Sequence, residues 1–293
     1  MASNNVSPKN FHIFGKGISF SVSPIIHNEA FKHCGLPFKY TIRESDNIDE
    51  VAELIKDNAF GGASVTMPHK LQVHKFCDEQ TETAKLIGAI NTLVVKGEGS
   101  ERTIIGDNTD WSGLYGIIAA HSTKMQQRPK VGLVIGAGGA SRAALYAMHK
   151  AGMEDIYLVN RTLATAEKVR DDFGSAFDIK VVPGLSDLPK ELDVVIGTVP
   201  AETTNEDQFA SLFGKQGLCI DMSYKPRQTP LLTVAQRLQG WDTVSGVEVL
   251  LAQAFDQFSL WTGLDAPKDV MTEAILALDR EGAAKAKGGM GML

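Results

Sequence analysis

Short apolar runs alternate along the chain with stretches in which apolar residues recur every three or four positions, and Gly, Pro, Asn and Asp clusters separate the two kinds. A short apolar run bounded by turn residues fits a buried strand, and a three-to-four-residue recurrence fits an amphipathic helix. The first series begins with a strand at "FHIFG" (11–15) and a helix from Pro24 to about His33. It continues with a strand at "FKYTIRE" (38–44), a helix near 48–57 and a strand at "GGASVTM" (61–67). A second series opens at "KVGLVIG" (130–136), followed by a helix from about Ser141 to Lys150, a strand at "IYLVN" and a helix over 163–173. Three further strands are expected at "IKVV", "DVVIGTV" and "GLCIDMS". Strands alternating with helices predict the α/β class with parallel sheets. The two series predict two such domains, with a helix starting near Asp110 as one connector.

At 293 residues the chain exceeds most single hydrophobic cores, which agrees with two domains. Its net charge of −6 leaves no basic field for nucleic acid or anionic lipid, so any anionic ligand needs a local pocket. No apolar run approaches membrane-spanning length, and the polar start "MASNNVSPKN" reads as a short flexible lead into a cytosolic protein. Cys34, Cys77 and Cys219 are odd in number and lack C-x-x-C spacing, so they are expected to be buried thiols in a reducing compartment. The seven histidines show no ligand spacing, and no metal is expected. The Gly/Ala/Lys-rich end after Arg280 is expected to fray.

Two stretches carry candidate chemistry. "VGLVIGAGGASRAAL" sets Gly136, Gly138 and Gly139, with Ala140 and Ser141, between an apolar strand and a helix expected to open at Ser141. Glycines there allow a sharp turn and close approach of a pyrophosphate, and the helix N-terminus offers free N–H groups to it. The next strand ends in Asn160, Arg161 and Thr162 rather than Asp or Glu. Lack of a carboxylate and the presence of a planar cation suit the 2′-phosphate of NADP. The second stretch, "GASVTMPHK", places Lys70 on the first turn after a strand end, where α/β proteins tend to keep their chemistry. His69 beside it points elsewhere and is read as structural. Taken alone, Lys70 reads as a solvated lysine, Ser21 and Ser23 as helix caps, and Asp110 as an N-cap.

The chain resembles the shikimate dehydrogenase family, which includes quinate/shikimate dehydrogenases and the dehydrogenase domain of fungal multifunctional proteins. The matching stretches are "SFSVSPIIHN", "GGASVTMPHK", "IGAINTLV", "GDNTDWSGL", "VIGAGGASRAAL", "VNRT", "DMSY" with "TPLL", and "GVEVLLAQAFDQFSLWTG", in family order from about residue 11 to 277. The resemblance implies an N-terminal substrate domain, a Rossmann-type cofactor domain and C-terminal helices returning to the first. The boundaries expected are 1–110, 111–247 and 248–293. It also implies interconversion of 3-dehydroshikimate and shikimate with NADP(H), with NAD as the alternative cofactor. By matched position, Lys70 and Asp110 are the catalytic pair. Ser21, Ser23, Thr66, Asn91, Tyr224 and Gln253 are substrate contacts, while Thr198 and Gly246 join the glycine-loop and "NRT" residues at the cofactor.

Departures from the family pattern keep alternatives open. Thr165 stands where many NADP-preferring relatives have a second cation, which leaves a mixed or NAD preference open, and Val249 stands where Met is frequent. Ser23 and Thr66 follow the shikimate pattern, with quinate as the alternative substrate. A non-catalytic metabolite binder is the remaining reading, against which the Lys70 and Asp110 pair argues. A small-molecule substrate is the expected partner, and the sequence leaves monomer and homodimer open.

Overall fold

The computed structural model describes residues 6–289, so residues 1–5 of the polar start lie outside it. Its elements in chain order are β1 (Lys9–Gly15), α1 (Ser23–His33), β2 (Phe38–Glu44), α2 (Ala52–Lys56), β3 (Phe60–Val65), β4 (Glu79–Gln80) and α3 (Glu82–Ile87). They continue with β5 (Thr92–Lys96), β6 (Thr103–Asp107), α4 (Asp110–Met125), β7 (Val131–Ile135), α5 (Gly139–Lys150), β8 (Asp155–Val159) and α6 (Leu163–Phe173). The remainder are β9 (Lys180–Val182), β10 (Val194–Gly197), β11 (Gly217–Asp221), α7 (Pro230–Gln236), β12 (Trp241–Val244), α8 (Gly246–Thr262) and α9 (Lys268–Gly289).

The chain forms two compact units. The first gathers the residues up to Glu79, then Asn91–Gly106, then those from Ala254 onward; the second gathers Gln80–Ile90 and Asp107–Gln253. These boundaries differ from a linear division at 110 and 247. Residues 80–90 join the second unit because α3 packs on α5, a long-range contact that periodicity does not report.

In the first unit the sheet order is β2-β1-β3-β5-β6-β4. β1 sits between parallel neighbours β2 and β3, with Ile13 opposite Ile42 and Phe14 opposite Val65. Its residues from Phe11 to Gly15 are all buried, as a central strand covered on both faces requires. β5 runs antiparallel to β3, so this sheet is mixed rather than purely parallel. Hydrophobic pattern reports burial, not strand direction, which is why the difference was not visible in the sequence. α1 has proline in its first turn, where a missing N–H costs no helical bond, and Lys32 and His33 at its negative end. Helix α9 packs on α1, so the C-terminal helices return to the first unit. Rather than fraying after Arg280, α9 continues to Gly289, in keeping with the high helix propensity of Ala and Lys; residues 290–293 lie outside the described residues.

The second unit holds the sheet β12-β11-β10-β7-β8-β9, every pair parallel, which read from the other edge is the doubly wound order of a Rossmann domain. Its core includes Leu145, Met148, Ile196 and Ile220, and Val249 of α8 is buried in the same cluster. All three cysteines are free; Cys219 is buried while Cys34 and Cys77 are half-buried. Burial, with Asp78 nearby, pushes the Cys77 thiol up to about 12. Among the described residues no helix is long and apolar enough to cross a membrane.

Candidate active site

In the first unit, several candidate residues gather at one edge of the sheet: the carboxyl ends of β1 and β3 and the amino end of antiparallel β5. This is the edge at which open α/β sheets bind ligands. The loop after β1 is fixed by Ile18 N–H donating to Glu44 Oε1 at 2.6 Å and by Lys16 N–H donating to the Met67 carbonyl at 3.0 Å. The second bond sets the Ser21 loop beside the turn that carries Thr66. Gly15 permits this approach, since a Cβ there would overlap the Thr66 methyl and lie 3.1 Å from the Met67 carbonyl.

Ser21 and Ser23 stand with their hydroxyls 3.3 Å apart, at 8% and 2% exposure. Val22 between them is in the helical region and α1 starts at Ser23, so the segment is not extended. Ser21 Oγ accepts from the Ser23 N–H at 3.4 Å, the first of α1, while the Val22 side chain makes no cap bond. Thr66 is half-buried and its N–H donates to the Phe14 carbonyl at 2.9 Å. A cis Met67–Pro68 bond follows, then a single 3₁₀ turn from His69 to Leu71 that carries half-buried Lys70. His69 is 1% exposed and its Nε2 lies 3.0 Å from both the hydroxyl and the carbonyl oxygen of Ser45, so it anchors the turn from within. Asn91 is 2% exposed, and its carbonyl accepts from Val65 N–H at 2.7 Å.

The second unit places Asp110 as the first residue of α4, at 5% exposure. Asn108 does the capping: its Oδ1 accepts from the N–H groups of Asp110 at 3.0 Å and Trp111 at 3.4 Å, while its Nδ2 donates to the Ala89 carbonyl. The Asp110 carboxylate is thus not required as a cap. Thr109 Oγ1 donates to Gln253 Oε1 at 3.0 Å and Gln253 Nε2 donates to the Leu250 carbonyl at 2.9 Å, which sets Gln253 at the start of α4.

Tyr224 is half-buried on the loop after β11. Sequence reasoning missed Asp221, which closes that loop at both ends: Ser223 N–H donates to its Oδ1 at 3.0 Å, and the Thr229 hydroxyl also supports its charge. Burial nevertheless dominates and pushes the Asp221 carboxyl up to about 6. The loop lies against Gly246 at the start of α8, where a Cβ would come within 2.6–2.7 Å of the Ser223 and Met222 carbonyl oxygens.

The glycine loop follows β7 in the same unit. Gly136 adopts φ +111°, and a Cβ there would overlap Thr198 Oγ1 and lie 2.9 Å from Val199. Helix α5 opens at Gly139, two residues earlier than expected, because extended Gly138 already starts it; the Ser141 hydroxyl folds back to the Gly138 carbonyl at 2.6 Å. The N–H groups of Gly139, Ala140 and Ser141 therefore head the helix. Thr198 at the end of β10 is held by both its N–H and its hydroxyl on the Ile135 carbonyl, at 2.9 and 2.8 Å. At the end of β8, Asn160 Nδ2 donates to the Thr162 carbonyl at 2.9 Å, and Arg161 is exposed beside it. A cradle without side chains, a helix N-terminus and an exposed guanidinium fit a dinucleotide that carries an extra phosphate.

Comparison with known proteins agrees with this architecture. Profiles for the shikimate dehydrogenase substrate binding domain, for shikimate/quinate 5-dehydrogenase and for the shikimate 5′-dehydrogenase C-terminal domain match residues 13–93, 118–229 and 246–276. The pentafunctional AROM polypeptide of Schizosaccharomyces pombe is 39% identical over 284 residues; the match covers 92% of this chain and 18% of that polypeptide's length. The structure of Thermus thermophilus shikimate 5-dehydrogenase in complex with NADP(H) and shikimate superposes with a TM-score of 0.74 at 28% identity, covering 91% of this chain and 98% of that one. Mycobacterium tuberculosis shikimate dehydrogenase superposes with a TM-score of 0.78 at 30% identity, covering 92% of this chain and all of that one. A match of that identity over a relative's full length, with profiles of one family aligned along the chain in order, means that the chain belongs to the shikimate dehydrogenase family.

Proposed function

We propose that the chain interconverts 3-dehydroshikimate and shikimate using NADP(H). The observation that carries this reading is the set Ser21, Ser23, Thr66, Lys70 and Asn91 at one sheet edge, with the two serine hydroxyls side by side. A small carbocycle with one carboxylate and several hydroxyls calls for many short hydrogen-bonding groups. Ser21 and Ser23 address the carboxylate, while Thr66, Asn91, Tyr224 and Gln253 address hydroxyls. In this reading the first unit binds substrate and the second binds cofactor, and the enzyme works in the cytosol.

Gly136, Gly138 and the head of α5, with Thr198 and Gly246, would hold the dinucleotide, and Asn160, Arg161 and Thr162 its 2′-phosphate. Bound there, NADPH supplies the hydride that reduces the ketone. The remaining work is electrostatic: negative charge develops on the ketone oxygen, and the Lys70 ammonium stabilises it and transfers a proton to it. Asp110, the other member of the proposed catalytic pair, accepts from a substrate hydroxyl. In the oxidation direction the same lysine takes the proton back.

The test is formation of reduced nicotinamide with each of four pairs, shikimate or quinate with NADP+ or NAD+. The reading expects shikimate with NADP+ to give the highest kcat/KM. Turnover of quinate with NAD+ alone would assign the protein to the other arm of the family, and no turnover with any pair would make it a metabolite binder.

A further inference from the structure

A directed chain of hydrogen bonds runs through the interior of the first unit to Asn91. Tyr40 Oη donates to Ser64 Oγ at 2.6 Å, and Ser64 Oγ donates to Gln257 Oε1 at 2.9 Å. Gln257 Nε2 donates to Thr92 Oγ1 at 2.9 Å and to the Asn91 carbonyl at 3.3 Å; Thr92 Oγ1 then donates to Asn91 Oδ1 at 2.7 Å. All five residues are buried, and Gln257 is only 1% exposed.

The orientation of the Gln257 amide follows from one group. A backbone carbonyl can only accept, so the Gln257 nitrogen must face Asn91 and Thr92, and its oxygen must face Ser64. Ser64 therefore spends its proton on Gln257 and accepts from Tyr40. Thr92 Oγ1 accepts from Gln257 and donates to Asn91 Oδ1. Asn91 Oδ1 is thereby turned towards Thr92, and the side-chain NH₂ group is turned the other way.

We infer that Gln257 is a positioning residue which, acting through Thr92, fixes the Asn91 side-chain amide so that it offers N–H donors to a substrate oxygen. This rests on the proposed role of Asn91 as a substrate contact. The ligand group it addresses must be an acceptor, a hydroxyl or carbonyl oxygen, and an ammonium at the same place is refused. Residues 91, 92 and 257 meet only in the fold, although Gln257 does follow Gln253 by one helical turn on α8.

The experiment measures KM for shikimate and for NADP+ in Gln257→Met, Thr92→Val, Thr92→Ser and Asn91→Ala. Loss of one buried hydrogen bond corresponds to about a tenfold effect. Gln257→Met and Thr92→Val are expected to raise KM for shikimate about tenfold with KM for NADP+ within about twofold. Thr92→Ser, which keeps the hydroxyl, restores the wild-type value. Added to Asn91→Ala, Thr92→Val costs nothing further, because both act through one amide. The Thr92 pair reads the inference even where Gln257→Met fails to fold. Wild-type turnover with unchanged shikimate KM in the variants, or full additivity with Asn91→Ala, overturns this inference alone. A wild type that turns over no shikimate overturns the proposed function and this inference together.

Discussion

His27 on α1 offers a sharp test of the packing described for the first unit. It is 0% exposed, stacks on Tyr40 with ring centroids 4.7 Å apart, and lies 4.9 Å from the Trp261 ring. Neither ring nitrogen has a hydrogen-bond partner among the described residues. Burial pushes its pKa down to about 3, with the nearby Gln257 amide acting in the opposite direction. The unfolded chain takes up a proton near the ordinary value of about 6.5, and the folded chain does not until far lower pH. The stability tied to His27 is therefore complete above about pH 6.5 and is lost as pH falls, levelling off near 3. Between pH 7 and 5 this linkage amounts to about 2 kcal/mol. His12, pushed down to about 4 by burial and then by Arg43, adds a similar loss over the same interval. Asp221 works in the opposite sense and returns about 1 kcal/mol, because its raised pKa makes the folded state gain on acidification. The assay is urea unfolding of wild type and His27→Phe at pH 7 and pH 5. Phe keeps an aromatic ring in the slot, and any pH-independent cost cancels in the comparison. The variant is expected to lose about 2 kcal/mol less than wild type between the two pH values. Equal losses would refute the assignment of His27 as a buried neutral group.

Further outcomes follow from the site. Arg161→Gln is expected to raise KM for NADP+ by roughly ten- to a hundredfold while leaving KM for NAD+ within about twofold, since a charge-assisted pair with the extra phosphate is lost; steady-state kinetics with both cofactors checks this. Asp221→Asn removes a buried carboxyl whose pKa lies at about 6, so the variant should gain stability relative to wild type as pH rises from about 4 to 7, read by the same unfolding assay. Gly246→Ala forces a methyl against the Ser223 and Met222 carbonyls and shifts the loop carrying Tyr224; about 1–3 kcal/mol of stability and a larger share of kcat/KM should go, checked by unfolding and turnover together.

Much of the architecture was legible because it is local. The strand–glycine–helix run around Gly136 and the "NRT" end of β8 follow from short-range backbone rules and from the chemistry of phosphate. What was hidden is non-local. The antiparallel direction of β5 leaves no trace in burial pattern, and the grouping of residues 80–90 with the second unit depends on where α3 packs. Asn108 rather than Asp110 supplies the cap of α4, a choice between two residues on either side of Thr109 that are both good cappers. The amide of Gln257 reaches Thr92 across 165 positions, a pairing that only the folded chain can reveal.

In the proposed reaction Lys70 is the proton donor to the ketone oxygen. The most direct measurement compares kcat and KM for NADPH-dependent reduction of 3-dehydroshikimate by wild type and Lys70→Ala, with folding of the variant verified by its unfolding midpoint. A fall in kcat of about a hundredfold or more, typical for loss of a general acid, is expected, with KM changed by no more than about threefold. A variant that keeps wild-type kcat would contradict it and remove Lys70 from the chemistry.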